Sequence, residues 1–314
     1  MTAAFVFPGQ GSQNVGMGKG LAEAFTPARR VFEEVDAALG DRLSDIIWNG
    51  SPETLTLTEN AQPALMAVSL AAMRVLEEEA GIDLKRDAAF VAGHSLGEYS
   101  ALAAARALSI ADAARLLRIR GRAMQKAVAV GAGAMAALIG LELGEVKAIA
   151  AEVASVGVCA AANDNGGGQV VLSGEKPAVE RAVEVAKVRG AKRAVMLPVS
   201  APFHCALMQP AADAMAEALS TIPVKPPLVA LVANVLARPI SEPTDIVRCL
   251  VEQVTATVRW RESILFMVQA GVTTFYEIGA GKVLTGLIKR ITDAATAASI
   301  GTPEDIARFK AGRG

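Results

Sequence analysis

The pentapeptide Gly93-His94-Ser95-Leu96-Gly97 leaves the backbone around it very few options. An apolar run from Ala88 to Ala92 leads into it and reads as a buried strand. An Ala-rich helix is expected to continue from it to about Ala107. The pattern is G-x-S-x-G, in which strand and helix meet at so tight a turn that side chains flanking the serine would clash. Glycine at 93 and 97 meets that demand. The turn pushes the Ser95 hydroxyl out at the edge of a sheet, and the new helix aims backbone N–H groups at the same point, where they can hold an oxyanion. Five letters alone are a weak signal, because Gly and Ser are common. The strand before and the helix after make Ser95 a candidate nucleophile.

A serine hydroxyl needs a neighbouring base, and histidine is the usual one because it titrates near neutrality. The chain has only two histidines. His94 lies inside the turn, and adjacent residues there point different ways. His204 lies in Val199-Ser200-Ala201-Pro202-Phe203-His204-Cys205, a Pro-containing loop just after an expected strand, and is the candidate base. No carboxylate fits the third place of a triad by spacing, so a backbone carbonyl or a side-chain amide is expected to orient His204.

A third residue breaks a local rule. On a helix expected from Ser109 to about Ala127, with Ser109 as N-cap, Arg115, Arg118 and Arg122 share one polar face at about 100° per residue. Arg120 falls opposite, among Ala113, Leu116, Leu117, Ala123, Met124 and Ala127. A guanidinium facing a core is costly unless an anion meets it. Either an internal ion pair or snorkelling answers that cost, or Arg120 is a clamp for a substrate carboxylate. A simple esterase needs no such clamp; an enzyme acting on a dicarboxylic half-thioester does.

The remaining pattern organises the chain. Ala3–Phe7 is an expected strand ended by Pro8-Gly9, with helical pattern from about Leu21 to Leu39 and again from Ala61 to Ala80, capped by Gly81. From Gly131 the elements shorten. Strands at 134–139, 158–162, 169–173 and 194–198 and helices at 143–153 and 177–189 alternate as strand-helix-strand-strand-helix-strand, the ferredoxin-like order. Further strands are expected at 229–234 and 274–278. The fold class is therefore α/β: a core of residues 1–127 and 199–314, with a parallel sheet flanked by helices, and an inserted ferredoxin-like α+β subdomain at 128–198. A content of 52% apolar but only 4% aromatic residues suits Ala- and Val-lined helices packed closely on a sheet.

Several function classes are disfavoured. A net charge of -1 gives no support to nucleic-acid binding. No apolar stretch reaches the roughly 18 to 20 residues of a spanning helix, so no membrane partner is expected. The start, Met1-Thr2-Ala3-Ala4-Phe5-Val6-Phe7-Pro8, has neither a basic nor a long apolar segment, so a secretory signal is not expected. Cys159, Cys205 and Cys249 are odd in number and lack metal-ligand spacing; they read as reduced thiols of a cytoplasmic protein, with Cys205 the one to check for reactivity. No metal is expected. Gly9-Gln10-Gly11 after a strand hints at nucleotide binding, but Asn14 stands where G-x-G-x-x-G needs glycine and Met17 where a Walker motif needs lysine.

Together these residues resemble the malonyl-CoA:acyl-carrier-protein transacylases. The resemblance runs along nearly the whole chain: Phe7-Pro8-Gly9-Gln10-Gly11-Ser12-Gln13, Gly93-His94-Ser95-Leu96-Gly97-Glu98-Tyr99, Arg120-Gly121, Gly133-Ala134-Met135-Ala136-Ala137, Gln169-Val170-Val171-Leu172-Ser173-Gly174 and Gly281-Lys282-Val283-Leu284. It implies a hydrolase-like core and these roles: Ser95 carries the malonyl ester, His204 is the base, Arg120 holds the malonyl carboxylate, and the N–H groups of Gln10 and Leu96 form the oxyanion hole. It further implies that Gln253 orients His204 through its main-chain carbonyl, and that Asn163, with His94, lines the cleft. Malonyl-CoA and acyl carrier protein are the implied partners, with no cofactor beyond the coenzyme A thioester that is itself substrate. Phe203 stands where many members have a smaller residue, Ala280 where proline is common, and Thr255-Ala256-Thr257 is unusual. Arg115, Arg118 and Arg122, or Lys187, Arg189, Lys192 and Arg193, are the candidate docking cations for an acidic carrier. The alternatives are a serine thioesterase or hydrolase, a polyketide-type acyltransferase, and a non-catalytic acyl-binding protein.

Overall fold

Short apolar runs bounded by glycine or proline become strands throughout the chain. The computed structural model describes residues 2–199 and 201–312; Met1, Arg313, Gly314 and Ser200, the last within the loop assigned to the base, lie outside the described residues. The strands in chain order are β1 (Ala3–Phe7), β2 (Phe90–Gly93), β3 (Gly133–Ile139), β4 (Cys159–Gly166), β5 (Gln169–Glu175), β6 (Arg193–Met196), β7 (Leu231–Ala233), β8 (Arg238–Ile240), β9 (Thr274–Ile278) and β10 (Thr296–Ile300). They form two sheets.

The larger sheet has the order β10-β9-β1-β2-β7-β8. Its pairings are parallel except the edge hairpin β7–β8. Parallel sheets are covered on both faces, and β1 is accordingly buried at every position. The helix Thr58–Ala80 forms the centre of one covering layer, apolar on nearly all sides, and packs against Thr26–Leu39 and Ile110–Ala127. Trp260, Ile264 and Met267 of the helix Trp260–Gln269 cover the other face.

The smaller sheet has the order β4-β5-β3-β6, antiparallel throughout, with the helices Leu143–Glu152 and Lys176–Val188 packed on it. This is the split βαβ arrangement, with its strands and helices lying between Gly133 and Met196. A lone parallel bridge, Asn163↔Val258, joins β4 to the core, through Val258 N–H to Ala162 O and Asp164 N–H to Val258 O, both 2.9 Å.

Some boundaries differ from the sequence reading. The helical pattern at 21–39 is two helices, Lys19–Ala24 and Thr26–Leu39, because Phe25 is extended and Pro27 opens the second. The helix expected from Ala61 begins at Thr58, its first turn built on Leu57 O, which accepts from the N–H groups of Asn60 and Ala61. The helix after the serine turn stops at Ala104, and Arg106 beyond it has a left-handed backbone. Strand β4 runs on through Asn163 to Gly166, carried past Ala161 by a register shift. Among the described residues no helix is long and apolar enough to cross a membrane.

Candidate active site

The serine turn owes its shape to two missing side chains. A Cβ on Gly93 would lie 1.9 Å from the backbone of Gly97, and one on Gly97 would lie 2.2 Å from Phe7 O. Between them Ser95 takes the left-handed backbone (φ 54°), which an L-residue adopts only under constraint. The constraint is visible: Asn234 Oδ1 accepts the Ser95 N–H at 2.8 Å, and Asn234 Nδ2 donates to Gly93 O at 2.7 Å. The C-terminal ends of β1 and β2 therefore open together onto a cleft of about 480 Å³, the usual ligand position in an open parallel sheet.

His204 also has a left-handed backbone (φ 60°) and is buried. Its Nε2 lies 2.8 Å from Ser95 Oγ, and its Nδ1 lies 2.8 Å from Gln253 O. A carbonyl can only accept, so Nδ1 carries the proton and Nε2 is free to take the one on Ser95. Burial, with the positive charge of Arg120 second, pushes the imidazole down to about 3. It is therefore neutral, and competent as a base, well into the acid range.

Arg120 is 1% exposed and reaches the same point. Its Nη2 donates to Ser95 Oγ at 3.2 Å and to Gln253 Oε1 at 2.9 Å; its Nη1 donates to Gln62 Oε1 at 2.7 Å. Among the described residues no carboxylate comes within ion-pair distance of it. The Tyr99 ring lies 5.8 Å from the guanidinium carbon. The guanidinium is thus held by neutral amides and an aromatic face. Gly121 permits this placement, since a Cβ there would lie 2.5 Å from Glu59 Cα where the two helices touch.

The other expected residues border the same cleft. Gln10 and Leu96 line it, and among the described residues neither backbone N–H has a hydrogen-bond partner. Asn163 and His94 line it too, with His94 Nε2 turned away from Ser95 onto Asn165 Oδ1 at 2.9 Å. Phe203 forms part of the wall. No group of three or more His, Cys, Asp or Glu suited to a metal is present among the described residues. Cys205 is buried with Sγ on Pro202 O, and burial raises its thiol, which opposes reactivity.

Comparison with known proteins gives this constellation a family. The model of the acyl transferase domain matches residues 4–307. The malonyl CoA-acyl carrier protein transacylase of Bacillus subtilis is 47% identical over 96% of this chain and 94% of its own. The chain belongs to the malonyl CoA-acyl carrier protein transacylase family. The Escherichia coli transacylase is 46% identical over 97% of each chain. The acyl-carrier-protein S-malonyltransferase structure from Bartonella henselae superposes with a TM-score of 0.96 at 61% identity, covering 98% of both. A malonyl-transacylase solved in complex with its type II PKS acyl-carrier protein superposes at 0.96 with 42% identity, covering 99% of this chain and all of that one.

Within this transacylase site, four residues had no counterpart in the sequence reading: Gln62, Glu98, Asn165 and Asn234. Glu98 stands in the run 93–99, and nothing in its local pattern signals its burial beside Ser95. One expectation is corrected. Arg118 is not on an open polar face: it is buried, donates to Asn60 Oδ1 at 2.8 Å and pairs with Asp41 at 3.0 Å. The helix Ile110–Ala127 is covered on that side by Thr26–Leu39 and Thr58–Ala80, so Arg118 is no docking cation. Arg115 and Arg122 are exposed but paired, with Asp112 and Glu59.

Proposed function

We propose that this chain transfers the malonyl group of malonyl-CoA to the phosphopantetheine thiol of acyl carrier protein, through a malonyl ester on Ser95. The observation that carries this reading is Arg120: a buried cation, held by neutral amides, one hydrogen bond from the nucleophile oxygen. Such a cation asks for an anionic substrate, and a bidentate guanidinium fits a carboxylate.

In this mechanism the free carboxylate of malonyl-CoA pairs with Arg120, which places the thioester carbonyl over Ser95. As Oγ attacks the carbonyl carbon, His204 Nε2 takes its proton. The tetrahedral oxyanion is held by the N–H groups of Gln10 and Leu96, which have no protein partner to give up among the described residues. The intermediate collapses with cleavage of the C–S bond, and the imidazolium returns the proton to the departing coenzyme A sulfur. The carrier thiol then repeats the sequence in reverse, giving its proton to His204 as it attacks the ester, and Ser95 is regenerated by the same proton. The cycle is ping-pong and needs no cofactor. Gln253 O keeps the imidazole in the productive tautomer throughout, while Asn163 and His94 shape the cleft.

We read residues 1–127 with 199–314 as the catalytic core and 128–198 as a subdomain forming the opposite wall. Three free cysteines fit a reducing compartment, and we infer a cytoplasmic location. The test is intact-protein mass after mixing with malonyl-CoA. The wild-type chain gains one malonyl group, which carrier protein removes; Ser95→Ala gains none. A stable adduct on Ser95→Ala would reject the nucleophile.

A further inference from the structure

Among the described residues Glu98 is the one carboxylate buried at the centre of this site, and the mechanism above leaves it idle. It is fully buried, in the first turn of the helix Gly97–Ala104, and makes no ion pair among the described residues. Placing a carboxyl there is expensive, and an apolar residue of similar size would cost less. Its two oxygens are both occupied. Oε1 accepts the backbone N–H of Asn234 at 3.3 Å, and Oε2 takes a close hydrogen bond from Gln253 Nε2.

Those two partners hold everything else. Gln253 Nε2 also reaches Ser95 O at 3.0 Å and Asn234 Oδ1 at 3.2 Å. The same side chain offers Oε1 to Arg120, and its main-chain carbonyl holds His204. Asn234 holds the nucleophile turn by the bonds to Ser95 N and Gly93 O. Nucleophile, base and clamp therefore each lie two hydrogen bonds or fewer from one carboxyl that cannot touch substrate. Fixing the orientation of the Gln253 amide is the decisive step. Turned over, it would present N–H groups to the guanidinium and a carbonyl to Glu98, with like groups facing at both ends.

We propose that Glu98 is a positioning residue for malonyl selectivity and turnover: it locks the Gln253 amide so that Oε1 faces Arg120, and holds Asn234 against the Ser95 turn. This rests on the roles assigned above to Ser95, His204 and Arg120. Burial pushes the carboxyl up to about 8, while the bonds from Gln253 and Asn234 favour its charged form. Either protonation state keeps an acceptor toward Gln253.

The experiment compares wild type, Glu98→Met, which removes the acceptor, Gln253→Met and the double variant. Gln253→Met removes the amide that links Glu98 to Arg120 and keeps the main-chain carbonyl that holds His204. Each protein is mixed with equal malonyl-CoA and acetyl-CoA, and the ratio of malonyl to acetyl adduct on the enzyme is read by intact mass, beside kcat and KM for malonyl-CoA. Both single variants should lower the malonyl preference about ten-fold, with KM for malonyl-CoA raised. The double variant should be no worse than Gln253→Met alone, because one path is being cut twice. A merely structural role would lower Tm and leave the adduct ratio alone. If Glu98→Met fails to fold, Gln253→Met decides: a folded Gln253→Met with wild-type adduct ratio overturns the inference. So does a folded Glu98→Met with wild-type ratio and KM. Ser95→Ala run in parallel separates the two levels. If it takes up no malonyl group and the Glu98 and Gln253 variants behave as wild type, only the present inference fails. If it is labelled, the inference falls with the site reading beneath it.

Discussion

Three side chains drawn from separate parts of the chain meet at one oxygen, Ser95 Oγ, and each was legible from a local rule. The serine was given by glycines at 93 and 97, the histidine by scarcity, the arginine by its wrong position on a helix. Arg120 is the informative case, because its charge acts twice. In the proposed mechanism it holds the substrate carboxylate, and it depresses the imidazole of His204 after burial has done so. Arg120→Ala should lose malonyl transfer by about 100-fold in kcat/KM, as expected for a charge-assisted pair worth about 3 kcal/mol, and shift preference toward acetyl-CoA. The pH profile gives the second readout. With His204 pushed down to about 3, the neutral base persists far below its ordinary range, so kcat/KM of the wild type shows no acid limb near pH 6.5. Removing the positive charge raises the imidazole, and the acid limb of acetyl transfer in Arg120→Ala moves up in pH. A wild-type limb near 6.5, unmoved by the substitution, would contradict this. Glu98, Asn234 and Gln62 were not legible, for a physical reason. Asn234 meets Ser95 across 139 residues of chain and Gln253 meets Glu98 across 155, and no periodicity connects such pairs.

At the level of elements, most strands and helices followed from pattern and punctuation, and the misses fall at ends. The ferredoxin-like unit was readable because its elements alternate at short range, with turn residues between. The break at Phe25 and the early start at Thr58 depend on how a turn packs, which composition does not encode. The serine turn shows how an element boundary becomes chemistry. Phe7 O, at the end of β1, accepts the His94 N–H at 3.0 Å and lies where a Gly97 side chain would be. Gly97→Ala must therefore separate β1 from the turn. We expect a loss of about 3 kcal/mol or more, seen as a lowered Tm, together with loss of malonyl labelling. Normal stability and labelling would show that the backbone yields there at little cost.

For the whole molecule, net charge gave only exclusions, and the structure narrows the candidate docking cations. Burial removes Arg118 from the candidates, and Arg189 is paired with Glu152. Lys187 remains exposed on the helix Lys176–Val188, and Lys192 and Arg193 remain exposed at the start of β6, the strand that runs on into Leu197 in the cleft wall. If an acidic carrier approaches along that edge, Lys192→Glu combined with Arg193→Glu slows transfer to the carrier and leaves acylation by malonyl-CoA unchanged. Added salt should slow the wild type and not the variant. Equal salt response in both would place the docking face elsewhere.

The order of the larger sheet has a consequence for how the protein comes into being. Strand β1, which precedes the other described strands in the chain, is flanked by β2 on one side and by β9 on the other, so one of its edges waits for residues 274–278. The orienting carbonyl at Gln253 is also a late arrival. A nascent chain thus carries its serine turn, until the segments at 253 and 274–278 have been made, with an open strand edge beside it and no base held in place. Reactivity is withheld over that interval, which is also when an unfinished chain is most exposed to pairing with its neighbours.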